Sequence, residues 1–401
     1  MNATPSDLDA PVREFDHHRD PAVRIDPLTA FDRFRGERTF WTPELDGFWV
    51  LTRHADIGAV LRDTDAFSSR HTSIPAAGWP RPLMPVELDP PEHGDYRALL
   101  ARCINGEAGA AISAAIEAEC ARLVEQLAPT GGCDLVLDFA RPLQNALFAA
   151  LFGVPPEETD ACARWAADLL QDSDPGRRAD AVRDFMAYVA RALDECSRGV
   201  RRGTGSGLLE ELARAEVRGR PLSREEALDL AFLMGMASLD TLTNSIGFSF
   251  RHLAEHPELQ RVLADPAVAG RAADELLRLH SVVSVARTAR RDVDAAGVRI
   301  KAGERVLLSL NFAGRDPERY PDPATADFDR PDRATHFAFG FGAHRCLGAR
   351  IATQGLHAAL REWHRRVQDY SVPPGSVLLA DGGAVCSLEN LPLTWPVSPP
   401  R

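Results

Sequence analysis

The chain has 401 residues, of which 45% are hydrophobic and 26% are charged. This balance is typical of a globular protein and excludes a disordered, collagen-like or coiled-coil chain. The net charge of −12, without a cluster of basic residues, argues against nucleic-acid binding, because neutralising phosphates requires clustered Lys and Arg. No stretch approaches the roughly 20 apolar residues of a membrane helix, and the first residues lack the order of a signal peptide. We therefore expect a cytoplasmic protein without membrane contact.

The seven cysteines are an odd number and are scattered without a close CxxC pair, which indicates reduced thiols. Lys301 is the only lysine among the 46 basic residues, a skew that carries no functional signal. No Gly/Ser-rich linker interrupts the chain, so we expect one large unit.

The predicted elements begin with a β-like run at 47–51 that passes into a helical pattern up to residue 61. Two further β-like segments flank an Ala-Gly turn within 298–310. The sequence therefore predicts a mainly α protein with small β-sheets. Its long helices, rich in Ala, Leu, Arg and Glu, are predicted around 95–128, 140–152, 157–172, 177–200 and 223–256.

The last of these helices has the clearest boundaries. Ser223 and Glu226 form a capping-box pattern at its start, and Pro257 is expected to end it. A helix of about 34 residues would extend roughly 50 Å, at about 1.5 Å per residue. Its apolar middle carries Asp240 and Thr241, and a buried Asp needs a partner or a purpose. The alternative is an ordinary core Asp with a Thr bonded to the carbonyl four residues earlier.

Two irregular, proline-rich stretches, 71–93 and 314–337, are predicted to be either functional loops or solvated connectors. The second leads to Cys346, which lies just before a predicted helix. Free N–H groups and the helix dipole favour an anion there, and Gly340, Gly342 and Gly348 let the backbone approach the sulfur. These features suit a thiolate metal ligand. The alternatives are a structural cysteine and a zinc site with His344, although further zinc ligands at short spacing do not follow.

The segment from Phe339 to Gly348, FGFGAHRCLG, resembles position for position the haem-binding loop of the cytochrome P450 monooxygenases. Similar segments run from about Phe31 to Trp395, nearly the whole chain. The resemblance implies the P450 fold, with haem between a long distal helix and the helix after the cysteine. It implies one domain over 1–401, with an N-terminal extension (1–30), a β-rich part (31–70 and 281–310) and a helical part (95–280 and 337–370).

The resemblance also implies haem b as cofactor, dioxygen as cosubstrate and Cys346 as the axial ligand of the iron. A thiolate ligand donates electron density and favours O–O cleavage. Glu275, Arg278 and Arg330 would form the family's structural triad. The other haem-binding residues implied are His93, Arg97, Arg287, His344, Phe339, Gly340, Gly348 and Ala237.

The segment from Ala237 to Thr241 resembles the family's dioxygen-binding motif. Thr241 would bond to the Ala237 carbonyl and hold an ordered water, while Asp240 would relay protons from solvent. Asn244 and the closing Leu-Pro-Leu-Thr-Trp resemble the camphor hydroxylase branch. Ser238 departs from the pattern, because the family usually has glycine there. We expect its hydroxyl to bond to the Met234 carbonyl, and the alternative is that it turns towards bound oxygen.

The resemblance implies a pocket of mostly small or aliphatic residues, which favours a neutral, apolar substrate. The segments similar to the camphor hydroxylase branch imply a terpenoid or another secondary metabolite. Arg81 falls near the hydrogen-bonding tyrosine of the camphor enzyme, so camphor itself is not expected. The pocket residues implied are Arg81, Met84, Leu233, Met236, Val282, Val283, Val285 and Val385.

The sequence has no flavin or nicotinamide motif, so a monooxygenase would need electrons from NAD(P)H through a reductase and a ferredoxin, which we expect to carry a 2Fe-2S cluster. Arg345, Arg350 and Arg102 would form a basic patch for that acidic partner, unless they are scattered surface arginines. We expect a monomer. Two alternatives remain open: a haem-thiolate sensor or carrier without turnover, and an atypical enzyme that couples, isomerises or uses peroxide, for which Ser238 is the only sequence support.

Overall fold

A computed structural model describes residues 10–76, 81–154, 158, 161, 165, 175–200 and 207–397. Most of the helix predicted at 157–172 lies outside these residues. Helices are the main secondary structure of the described chain, with small β-sheets and irregular segments between them, as the sequence predicts. The α-helices of the described residues are α1 (Pro21–Ile25), α2 (His54–Arg62), α3 (Glu92–Ile104), α4 (Gly106–Leu127), α5 (Arg141–Phe152), α6 (Pro175–Ser197), α7 (Leu208–Arg214), α8 (Arg224–Ala237), α9 (Thr241–Glu255), α10 (Pro257–Val262), α11 (Ala269–Leu279), α12 (Leu310–Gly314) and α13 (Ala349–His364).

The largest sheet has five strands in the order β1 (Thr39–Thr42), β2 (Phe48–Leu51), β10 (Arg305–Ser309), β7 (Ser284–Ala289) and β3 (Phe67–Ser68). Only the β10–β2 pair is parallel, and the other pairs are antiparallel. The four residues of β2 are all buried, as a central strand between covered faces requires. The strands are β1 (Thr39–Thr42), β2 (Phe48–Leu51), β3 (Phe67–Ser68), β4 (Gly132–Asp134), β5 (Glu216–Val217), β6 (Arg220–Pro221), β7 (Ser284–Ala289), β8 (Val293–Ala295), β9 (Val298–Ile300), β10 (Arg305–Ser309), β11 (Ala380–Asp381), β12 (Ser387–Leu388) and β13 (Pro392–Thr394).

The helix predicted at 95–128 is two helices. α3 ends at Ile104 and α4 begins at Gly106, whose positive φ of +61° suits glycine and breaks the helical path. The predicted strand and helix at 47–61 are confirmed by β2 and α2, and the two predicted segments at 298–310 by β9 and β10.

The prediction of one continuous distal helix over 223–256 is also wrong. Its start is confirmed, because Ser223 and Glu226 form both bonds of the capping box. The chain then leaves the helical path between α8 and α9, with Asp240 at φ −140° and ψ −44°. The far end is at Glu255, and Pro257 begins α10 instead. Two helices in series therefore replace the 34-residue rod.

The segment Leu135–Phe152 is long and apolar enough to cross a membrane by length and composition. Half of it is buried within the protein, as in a core helix of a globular protein. Its first six residues, 135–140, form a π-helix that packs against α9. The stretch is thus part of the core beside the distal helices.

Helices α4, α9 and α13 meet at Gly355. A Cβ there would lie 3.1 Å from Leu242 of α9 and 3.7 Å from Ile116 of α4, so glycine permits the close approach. This junction fixes the helix that follows Cys346 against the second half of the distal helix.

Candidate active site

The loop before α13 places Cys346 on the wall of a cavity of about 390 Å³. The loop is fixed by a bond from the Cys346 N–H to the Phe339 carbonyl (2.8 Å). Gly340 and Gly342 have φ values of +68° and +73°, which side chains disfavour. A Cβ on Gly342 would also lie 2.7 Å from the Leu61 carbonyl oxygen of α2. The glycines therefore let the loop turn tightly against α2 and direct the sulfur inwards.

Opposing influences act on the Cys346 sulfur. Burial raises the pKa of its thiol, whereas hydrogen bonds from the backbone N–H groups of Gly348 and Ala349 lower it, as do the nearby charges of Arg345 and Arg97. The last four groups all stabilise a negative sulfur. This donor set suits a thiolate bound to a metal.

Basic side chains surround another part of the cavity. The rings of His93 and His344 are stacked with centroids 3.9 Å apart, and burial lowers the pKa of each to about 4. Arg287 is only 4% exposed, and burial lowers its pKa to about 10. Arg97 lies close enough to His93 for its charge to act on that ring, and its guanidinium donates to the Arg345 carbonyl (2.5 Å).

Within the described part of the chain, the cavity wall includes arginines and histidines but no Asp or Glu. A buried guanidinium without a carboxylate partner is unfavourable unless an anion accompanies it. The wall therefore fits an anionic group, and the two propionates of haem are such anions. The structure brings His93, Arg97, Arg287 and His344 together at this place, with Phe339, Gly340, Gly348 and Ala237 on the same wall.

The residues of the implied triad lie together behind the cysteine loop. Glu275 accepts from Arg278 (2.8 Å) and from Arg330 (3.0 Å), and all three side chains are buried. Arg278 also donates to the carbonyls of Gly314 (2.5 Å) and Pro323 (2.9 Å). The triad thus ties α11 to α12 and to the loop that leads to Cys346.

The break between α8 and α9 opens towards the cavity. Ala237 and Thr241 both lie on the cavity wall, and the Thr241 hydroxyl donates to the Ala237 carbonyl at 3.5 Å, as the sequence predicts. Asp240 accepts from the Asn244 side chain at 2.7 Å. Burial raises the pKa of Asp240, while that hydrogen bond and the charge of Arg141 oppose the rise. Asp240 is therefore a partly buried acid next to Thr241 in the chain, and of the two only Thr241 lies on the cavity wall.

Ser238 is bonded to its own helix, although not to the predicted acceptor. Its hydroxyl donates to the Gly235 carbonyl at 3.0 Å rather than to the carbonyl of Met234. The reason is local: Ser238 ends α8 with φ −96° and ψ 7°, which tightens the last turn and brings the carbonyl three residues back within reach.

The structure places only half of the predicted pocket residues on the cavity wall. Leu233, Val282, Val283 and Val285 lie on it. Met84, Met236 and Val385 lie outside it and pack against the hydrophobic core. On α8 the cavity side is taken by Leu233, Met234 and Ala237, and the helical rotation of about 100° per residue turns Met236 away.

Arg81 is also outside the cavity wall, contrary to the prediction. Its guanidinium pairs with Asp229 (2.8 Å) and Glu225 (3.2 Å) on the first turns of α8. Those carboxylates draw the charged group to the surface, where it avoids the cost of burial. Arg81 thus attaches the loop before α3 to the distal helix.

Two residues that sequence reasoning missed bear on the site. Gln144 of α5 is 2% exposed, lies on the cavity wall and bonds to the backbone on both sides of the break between α8 and α9. Glu87 is 8% exposed and accepts from the Thr72 N–H (3.1 Å) and the Leu83 N–H (2.9 Å), holding the substrate-side loop together. The signal was a polar residue in a mostly apolar stretch, which needs a partner when buried.

The arginines of the predicted partner surface are exposed. Arg345 and Arg350 border a shallow pocket beside the cysteine loop, together with Ala349, Thr353 and Gln354. Arg102 is exposed on α3.

Comparison with known proteins gives a consistent result. The sequence model of the family described as cytochrome P450 matches residues 270–373. A probable cytochrome P450 127A1 of Sinorhizobium fredii is 36% identical over 353 residues, which cover 87% of this chain and 84% of that protein. The cytochrome P450 monooxygenase PikC of Streptomyces venezuelae is 32% identical over 386 residues, which cover 92% and 91% of the two chains. The crystal structure of cytochrome P450 CYP101C1 superimposes with a TM-score of 0.88 at 28% identity, covering 98% of this chain and all of that one.

A helical fold with a cysteine loop on the wall of a cavity and a broken distal helix is that of a haem-thiolate enzyme. The chain belongs to the cytochrome P450 family and is a monooxygenase with haem b and dioxygen as cofactor and cosubstrate.

Proposed function

We propose that the protein hydroxylates a neutral, apolar compound of small to medium size, a terpenoid or another secondary metabolite. The observation that carries the proposal is the cavity wall beside the distal break. Its side chains there are mainly aliphatic, including Val86, Leu233, Val282 and Val285, and no carboxylate of the described residues faces it. Such a wall favours burial of apolar surface and would leave a charged substrate without a partner.

The proposed roles of the chain's residues follow from their places on the wall. Cys346 would ligate the iron, and the propionates would bind among His93, Arg97, Arg287 and His344. Bound haem supplies dioxygen binding and its reductive activation. Thr241 would hold a proton at its Oγ1 beside the oxygen, and Asp240, with its raised pKa, would pass protons inwards from solvent.

Electrons would come from NAD(P)H through a reductase and a 2Fe-2S ferredoxin. The exposed guanidinium groups of Arg345 and Arg350, close to the cysteine loop of an otherwise acidic protein, support this proposal. We further propose that the chain is one domain, acts as a monomer and is cytoplasmic.

Two measurements, made one after the other, test the proposal. A set of apolar compounds is screened for a shift of the ferric haem spectrum to high spin. Compounds that shift it are then supplied with NADH, a surrogate ferredoxin and its reductase under isotopically labelled dioxygen. We expect a product with one labelled oxygen atom.

The same assay separates the alternatives. Binding without NADH consumption would favour the carrier or sensor and would overturn the proposal. Product formed with hydrogen peroxide, but not with the reductase system, would favour the atypical enzyme and would also overturn it.

A further inference from the structure

The break in the distal helix exposes backbone groups that a continuous helix would pair. In an α-helix the Ser238 carbonyl would accept from the Leu242 N–H, and the Thr243 N–H would donate to the Leu239 carbonyl. The turn of the backbone at Asp240 separates these partners. Both Ser238 and Thr243 are buried, so their backbone groups cannot turn to bulk water and need other partners.

Gln144 supplies both partners from the neighbouring helix α5. Its Nε2 donates to the Ser238 carbonyl, and its Oε1 accepts from the Thr243 N–H at 3.0 Å. Only one orientation of the amide satisfies both groups, because the carbonyl oxygen must face the N–H. A single planar side chain therefore spans the break and replaces the two missing helical bonds.

The groups held in this way flank the Thr241 hydroxyl. Thr241 lies between Ser238 and Thr243 in the chain, and its bond to the Ala237 carbonyl is long, at 3.5 Å. A long bond orients a hydroxyl weakly. The path of the backbone, which Gln144 fixes on both sides, therefore decides where that hydroxyl and Asp240 lie.

We propose that Gln144 is a positioning residue for oxygen activation, which keeps the distal helix open at the place where Thr241 and Asp240 deliver protons. This inference rests on the proposed roles of those two residues. Without the amide, the Ser238 carbonyl and the Thr243 N–H regain partners most directly by closing the helix or by binding water. Either change moves the Thr241 hydroxyl relative to the cavity.

The chain offers a matched control in Gln260 of α10. It is 1% exposed, its Nε2 donates to the carbonyls of Leu253 (2.8 Å) and Tyr370 (2.9 Å), and its Oε1 accepts from the Tyr370 N–H (3.1 Å). It is thus also a buried glutamine that bridges backbone groups, but it lies outside the cavity wall.

The test compares Gln144→Leu and Gln260→Leu in the haem-loaded protein. The first readout is amide hydrogen exchange of the peptide spanning 237–245, which needs no turnover. The second is hydrogen peroxide released per NADH oxidised in the presence of a ligand from the high-spin screen. When product formation fails, NADH, a proton and dioxygen give NAD⁺ and one hydrogen peroxide, so the ratio approaches one.

For Gln144→Leu we expect changed exchange in 237–245 and a fall in product per NADH of at least about 10-fold, because small displacements of catalytic groups are costly. The dissociation constant of the ligand should stay within about twofold of the wild-type value. The spectrum of the reduced protein with carbon monoxide should keep the wild-type band position. Gln260→Leu should lower the melting temperature and change neither readout. A Gln144→Glu variant, whose carboxyl group can donate to the Ser238 carbonyl and accept from the Thr243 N–H only when it is protonated, should recover part of the coupling as the pH is lowered.

Unchanged exchange and coupling in Gln144→Leu would overturn the proposal, as would an equal loss of coupling in Gln260→Leu, which would make the effect one of general stability. A wild-type protein that forms no product would contradict the proposed function. The exchange readout would still decide whether Gln144 holds the break open.

Discussion

The Thr241 hydroxyl bonds to the Ala237 carbonyl across the helix opening, and Thr241 lies on the cavity wall, which is the basis of its proposed role in proton delivery. We predict that Thr241→Ala retains ligand binding but forms roughly 10- to 100-fold less product per NADH, since proton delivery is lost. The missing product should appear as hydrogen peroxide. The measurement is the ratio of product and peroxide to NADH consumed.

Ser249→Ala is the control for that variant. Ser249 lies two turns further along α9 and bonds to the Ser245 carbonyl four residues back (2.6 Å), as Thr241 bonds to Ala237. It lies outside the cavity wall, so its replacement should leave the ratio unchanged. Equal coupling in all three proteins would disprove the role of Thr241.

Ser238 gives a second prediction for a single residue. Since its hydroxyl bonds to the Gly235 carbonyl, Ser238→Gly should lower the free energy of unfolding by about 1 kcal/mol, through the lost hydrogen bond and the greater freedom of glycine. Coupling should not change, because Gln144 binds the Ser238 backbone and not its side chain. More peroxide at an unchanged melting temperature would show that the hydroxyl serves the bound oxygen instead.

At the scale of elements, the sequence predicted where the distal helix begins but not that it breaks. The capping box of Ser223 and Glu226 is a local pattern, and local patterns can be read from one sequence. The break depends on Gln144, which is almost 100 residues away in the chain and reaches the helix only in the folded protein. No periodicity within 223–256 carries that information.

The tight turn of the cysteine loop could be predicted because the residues that form it are neighbours in the sequence. Gly340, Gly342 and Cys346 are close in sequence, and their spacing determines the turn that the structure contains. Arg81 was misplaced because its two partners, Asp229 and Glu225, belong to another element. Alignment of one residue with a family position predicts the backbone place and leaves the direction of a long side chain open.

The loop on the substrate side supplies a prediction for an element. Glu87 binds the Thr72 and Leu83 N–H groups with separate oxygens. In Glu87→Gln one of those N–H groups would face the amide nitrogen, which costs about 1–3 kcal/mol for a buried donor. Thr72 and Val86 lie on the cavity wall, so a loosened loop should weaken ligand binding, up to about 10-fold for 1.4 kcal/mol. The high-spin titration measures this directly.

Glu225→Gln is the matched control, since Glu225 is an exposed carboxylate paired with Arg81 at the same loop. Exposed ion pairs contribute about 1 kcal/mol or less, so its effect on ligand affinity should be small. Equal weakening in both variants would mean that the loop is held by its surface ion pairs and not by Glu87.

For the whole molecule, the distribution of charge predicts how the electron donor binds. Charge reversal at Arg345 or Arg350 should slow reduction by ferredoxin by up to about 10-fold, because steering by opposite charges is lost. Salt should slow the wild-type reaction as the Debye length falls below about 10 Å. The same reversal at Arg261, exposed on α10, serves as control and should have little effect. Reduction that is insensitive to salt would contradict a basic docking surface.

Stability of the whole fold should depend on pH through histidines far from the cavity. Burial lowers the pKa of His17 to about 3 and that of His364 to about 4, both below the usual 6.5. A lowered pKa means that the unfolded chain binds protons before the folded one. The free energy of unfolding therefore does not depend on the titration of these histidines above pH 6.5. Below that pH it falls by about 1.4 kcal/mol per pH unit for each histidine, until the folded-state pKa is reached.

Urea unfolding at pH 7.5, 6.0 and 5.0 measures this slope. His17→Phe should reduce it, because an apolar ring can occupy the place beside Phe15 and Phe48 without taking up a proton. His71→Phe, at an exposed position, should leave the slope as it is. A free energy of unfolding that stays constant from pH 7.5 to 5.0 would refute the prediction.

The turn between β9 and β10 has a practical consequence for anyone who handles the protein. Lys301, exposed on that turn, is the only lysine in the chain, so reagents that acylate primary amines have one side-chain target besides the amino terminus. The guanidinium groups beside the cysteine loop do not react with such reagents under mild conditions. A fluorophore or a solid support can therefore be attached through Lys301 at this turn, or through the amino terminus, while Arg345 and Arg350 stay chemically intact, so labelling leaves the charges beside the cysteine loop unchanged when electron transfer is measured.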